Sequence, residues 1–93
     1  MIVLVLRKCK PGLKGHVTRW LSEVGTGVYL GTLSARVRDR LWQRIGAEIG
    51  EGGAVMIQPA PTEQGYSVRT VGTLPYTFED FEGIVLAKKR NSG

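Results

Sequence analysis

Ninety-three residues, with thirteen lysines and arginines against eight acidic side chains, describe one small basic domain of net charge +5 and pI near 9.8, a balance compatible with a polyanionic partner. The 42% hydrophobic content excludes a disordered chain, and no apolar run approaches the roughly 18 residues of a membrane span. A core this small is thin, so oligomerisation is an expected source of further burial.

Ile2 to Leu6 is a continuous apolar run, which predicts a strand covered on both faces. It is too short for a signal peptide and lacks a basic segment before it. Arg7-Lys8-Cys9-Lys10 ends the run, and its Cys9, the only cysteine, forms no internal disulfide and fits a reducing, cytoplasmic setting. Pro11 suits the first turn of a helix. Leu13, Val17, Trp20, Leu21 and Val24 recur at helical spacing, with Lys14, Thr18 and Ser22 on more exposed faces and Gly25 as the stop. Gly27 to Gly31 reads as a short second strand. Ser34 is placed to cap a second helix, whose buried stripe is Val37, Leu41, Ile45 and Ile49, widened by Trp42 and ended by Gly50, Gly52 and Gly53. Ala54 to Gln58 is a third strand, residues 59–65 are turn-rich, and Tyr66 to Val71 alternates as a fourth. Residues 73–82 read as irregular, and 83–87 as a final apolar strand before the basic tail Lys88-Lys89-Arg90.

This order predicts a single α+β domain over residues 1–93: a ferredoxin-like sandwich with two helices on one face of a mainly antiparallel sheet. The hairpin expected between the helices is reduced to one clear strand. The segment 73–93 is expected to be a partner-contacting extension whose strand is available for pairing with another chain. Trp20 and Trp42, on or beside the apolar stripes, are expected in the core. The alternating aromatics of RNA-recognition strands are missing, so sequence-independent contact with a nucleic-acid backbone is the better expectation.

The apolar first strand, Leu13-Lys14-Gly15, Trp20-Leu21-Ser22-Glu23-Val24, Gly27-Val28-Tyr29-Leu30-Gly31, Ser34-Ala35, Arg38, Trp42, Ile45, Val55-Met56, Thr62-Glu63 with Gly65, and Glu82-Gly83 occur in an order that resembles one family. It is CRISPR-associated protein two, the small subunit of the spacer-acquisition machinery, in its type I-E branch. The resemblance implies a prokaryotic, cytoplasmic homodimer without membrane attachment. That dimer bridges two dimers of the integrase subunit, CRISPR-associated protein one, and lies across a double-stranded DNA.

The wider family is described as metal-dependent endonucleases that place an acidic residue at the end of the first strand. Arg7 and Lys8 stand there in this chain, and cationic side chains do not hold Mg²⁺. The reading is therefore a non-catalytic, cofactor-free DNA-binding scaffold; a Mg²⁺-dependent endonuclease acting on RNA or DNA at the dimer interface is the alternative. A Ser22 or Cys9 pairing with His16 lacks a supporting motif.

Lys14 matches a basic position of the family at the start of the first helix, while Gly12 stands at the neighbouring one and His16 at another. Lys8 and Lys10 flank the same helix start. Arg36, Arg40 and Arg44 recur every four residues and form one stripe. That stripe reads equally as a phosphate-tracking face or as a solvated face paired with Asp39 or Glu48. The nucleic-acid candidates are thus Lys8, Lys10, Lys14, His16, Arg36 and Arg40. Glu63 and Glu82 match acidic positions through which the branch contacts the integrase, and the strand containing Ile84 and Leu86 is expected to lie against that partner. Pro75-Tyr76 stands where the branch carries a basic pair.

Overall fold

The structure, a computed structural model, describes residues 1–81 and 84–89. Its strands are β1 (Ile2–Arg7), β2 (Ser22–Gly25), β3 (Val28–Gly31), β4 (Gly53–Pro59), β5 (Tyr66–Gly72), β6 (Tyr76–Phe81) and β7 (Ile84–Lys89), and its helices α1 (Pro11–Val17) and α2 (Ala35–Glu48). The first five strands form an antiparallel sheet in the order β2-β3-β1-β4-β5. The β1-α1-β2-β3-α2-β4 path with β1 between β3 and β4 is the ferredoxin-like arrangement, and β5 extends it at one edge. β6 and β7 form a separate two-stranded sheet.

Strand periodicity decides what each face carries. Ile2, Leu4 and Leu6 of β1 are buried, as are Tyr29, Ala54 and Met56 at matching positions of β3 and β4. They pack with Leu13, Val17 and Leu21, and with Leu41, Ile45 and Ile49 of the α2 segment, into one core. Both helices therefore lie on the same side of the sheet, as expected. Ser34 caps α2, its Oγ accepting from the Val37 N–H at 3.3 Å, and Pro11 opens α1.

The opposite face is also apolar. Val3, Val5, Val28, Leu30, Val55 and Ile57 share it by register. Of these only Val55 is buried, and the others are half-buried. The expectation that β1 is covered on both faces is met on one side only within a single chain. Leu74 packs against the Gly53 end of this face.

The helix expected to run to Val24 stops at Val17. Beyond it, the Arg19 and Trp20 N–H groups donate to the carbonyls of His16 and Val17, three residues back, and the Thr18 hydroxyl donates to the Gly15 carbonyl at 2.9 Å. Both patterns tighten and end a helix that already contains Gly12 and Gly15. Ser22 to Gly25 pairs with β3, so the hairpin between the helices is complete rather than reduced to one strand. Gly27 closes it at φ 71°, where a Cβ would fall on the carbonyl oxygen of Leu6. Leu21 keeps its place in the core, but Trp20 is 48% and Val24 62% exposed, against the expectation that both belong to the buried stripe.

The segment expected to be irregular contains β6. β7 pairs with β6 from Tyr76↔Lys89 to Phe81↔Ile84 rather than standing alone. Its outer edge meets the β4–β5 turn, where the Val85 N–H donates to Gln64 Oε1 at 2.8 Å.

Candidate nucleic-acid interface

The positive charge of the helical side comes from three short stretches. Lys8 and Lys10 sit in the loop after β1, both exposed, and Lys8 adopts φ 52°, the left-handed region that L side chains rarely occupy. Lys10 precedes Pro11, and its carbonyl accepts from the Leu13 and Lys14 N–H groups at 3.1 Å. Lys14 is half-buried on α1. Beside it the Cys9 thiol is pushed above its ordinary value by burial, against the opposing pull of Lys14, so it stays a neutral thiol at pH 7.

On α2 the arginine stripe divides. Arg44 pairs with Glu48 at 2.6 Å. Asp39 is held by Arg69 of β5 at 2.7 Å and by Arg38 at 3.4 Å, with the Arg69 guanidinium 6.0 Å from the centre of the Trp42 ring. These two carboxylates are the only ones on the helix, and both are engaged. Arg36 and Arg40, exposed, make no ion pair among the described residues. Arg36 also lies in the first turn of α2, where no acid stands and the helix dipole disfavours a cation.

Between α1 and α2 lies a groove of about 280 Å³ lined by His16, Trp20, Val37, Arg40, Leu41 and Arg44. His16 is held below its ordinary value of 6.5, by desolvation first and then by the charges of Arg44 and Arg19, so the imidazole is neutral at pH 7. His16 and Arg40 are candidates from sequence, and Arg44 belongs to the stripe that reads equally as phosphate-tracking or solvated, whereas Trp20 is expected in the core. The Gly25-Thr26-Gly27 turn signal ahead of Val28-Tyr29-Leu30 was the feature that could have ended the helix earlier and released Trp20.

A second cleft, of about 210 Å³, opens at the end of β1 between Arg7, Lys8, Glu51, Thr73, Leu74 and Pro75. Its donor set does not fit a divalent cation, since one carboxylate faces two cationic side chains. Among the described residues no three of His, Cys, Asp and Glu gather where they could hold a metal ion.

The expected partner-contacting residues are placed unevenly. Glu63 is exposed in the β4–β5 turn, next to the Gln64 that binds β7. Ile84 and Leu86 pair through their backbones with Phe81 and Glu79, and their side chains lie outside what the structure describes. Glu82 lies outside the described residues. Among the described residues no helix is long and apolar enough to cross a membrane.

These features define a small ferredoxin-like α+β protein in which Lys8, Lys10, Lys14, Arg36 and Arg40 make no ion pair among the described residues. The profile of the family described as CRISPR-associated protein (Cas_Cas2CT1978) matches residues 1–86. The chain belongs to that family: it is a Cas2 protein of the type I-E branch, with a role in CRISPR adaptation. Cas2 proteins generally form dimers and work with Cas1.

Proposed function

We propose that two copies of this chain form a non-catalytic scaffold that holds double-stranded DNA for CRISPR-associated protein one and bridges two dimers of that integrase. The observation that carries the reading is the set of cations without acidic partners: Lys8, Lys10, Lys14, Arg36 and Arg40 make no ion pair among the described residues. Cations without acidic partners match a phosphate backbone, where each contact releases counterions. His16 contributes shape rather than charge at neutral pH.

The second sheet face supports the dimeric part of this reading. Val3, Val5, Val28, Leu30 and Ile57 are half-buried in the single chain, and a second copy placed there completes the two-sided covering that the apolar β1 calls for. Glu63 and the β7 strand, brought together through Gln64, make a patch that suits contact with the integrase.

Light-scattering chromatography with the integrase subunit and a splayed duplex tests the whole reading. The expected species contains two copies of this chain and four of the integrase. Mg²⁺-dependent cleavage of RNA or DNA by the chain alone, lost on removing one particular carboxylate, would instead establish the nuclease alternative.

A further inference from the structure

The groove between α1 and α2 combines features that phosphate contact alone does not require. Trp20 is nearly half exposed although it lies one residue before Leu21 of the core. The floor is apolar, made by Val37 and Leu41, and the rim carries the neutral imidazole of His16 and the guanidinium of Arg40, which has no ion pair among the described residues. Arg44 completes the rim while held by Glu48. At about 280 Å³ the groove lies at the lower edge of the roughly 300–1,000 Å³ of small-molecule clefts. It suits one planar ring system rather than an extended ligand.

We infer that this groove receives a single unpaired nucleobase stacked against Trp20, with the adjoining phosphate on Arg40. The inference rests on the nucleic-acid reading above and adds a base-stacking subsite to it. Indole and guanidinium planes are the surfaces on which unpaired bases stack, and such stacking tolerates any base because every base has a π-face. The charge around the groove selects the occupant. Arg36, one turn before Arg40 on the same stripe of α2, extends the positive surface without an ion pair among the described residues, which matches a base attached to its own anionic strand.

The test compares binding of a blunt duplex, the same duplex carrying one unpaired internal nucleotide, and a single strand of equal length, each read by fluorescence anisotropy at fixed salt. The variants are Trp20→Ala, Trp20→Phe and Arg40→Ala. Trp20 stands on an exposed turn outside the core, so its replacement leaves the fold intact. Trp20→Ala is expected to weaken the single strand and the bulged duplex about 5- to 150-fold, to leave the blunt duplex unchanged, and to be rescued by Trp20→Phe. Arg40→Ala is expected to weaken all three and to lower the log–log salt slope. Equal affinity of the unaltered protein for blunt and bulged duplexes overturns the stacking subsite while leaving the duplex-holding role in place. So does a Trp20→Ala chain that turns from dimer to monomer with its nucleic-acid binding unchanged, because the groove is then a protein interface. Failure to bind any of the three probes overturns the nucleic-acid reading and the subsite together.

Discussion

At the scale of single residues, Asp39 shows how a surface carboxylate is taken out of play. Its hydrogen bond from Arg69 is the first cause holding its carboxyl below the ordinary 3.8, joined by the charges of Arg69 and Arg38. A depressed carboxyl contributes stability that is complete above 3.8 and lost as pH falls through the folded value, because the unfolded chain takes up its proton first. Denaturant unfolding followed downward from about pH 5 should therefore show an acid limb that Asp39→Asn lacks. His16 acts in the same sense at higher pH: its folded value lies below 6.5, so the unfolded chain is protonated first and stability declines as pH drops through 6.5. Gly15 of α1 has open space where a Cβ would go and no left-handed φ. Gly15→Ala should raise stability by about 0.5–1 kcal/mol, read from the shift in denaturant midpoint. The lysines and arginines were legible as candidates, but which were free was not. Only the geometry shows that Asp39 turns to Arg69, thirty residues away in sequence.

At the scale of elements, the cap, the stripe of α2 and the strands β1, β3, β4 and β5 were readable, because each has a strong local period or a stop signal. α1 ends one turn or more before its apolar spacing predicts. Leu13, Val17 and Leu21 are all buried and fit a longer helix as well as they fit a helix followed by a turn. Helical spacing alone does not separate the two, and Gly27 decides between them by closing the β2–β3 hairpin. Gly27→Ala strains a φ of 71° and drives a Cβ into the β1 backbone. It should cost about 2 kcal/mol or more and show as a lowered Tm with a shared loss of β1 and β3 amide protection. Ser34→Ala removes a single cap and should cost about 1 kcal/mol, a milder loss that distinguishes a helix end from a sheet junction. β6 carries only a brief alternation, Tyr76-Thr77-Phe78-Glu79, that Asp80 breaks, and among the described residues its strand partner is β7, itself outside the main sheet.

At the scale of the whole molecule, the sheet has one face that the helices cover and one that a second copy is proposed to cover. Val5→Glu places a charge on that second face while leaving Leu4 and Leu6 in the core. The expected result is a folded monomer by sedimentation, with helical circular dichroism retained and affinity for duplex DNA reduced. The end of β1 is organised differently from either face. There the carbonyls of Arg7 and Lys8 crowd the backbone of Gly52, so close that no side chain fits at that glycine. Main chain, rather than the side chains of Arg7 and Lys8, defines the junction, and both residues are exposed. The architecture is therefore indifferent to the chemistry mounted at that strand end. A lineage built on this frame is free to exchange an acid for a base there, and so to gain or relinquish a reaction, without renegotiating the fold.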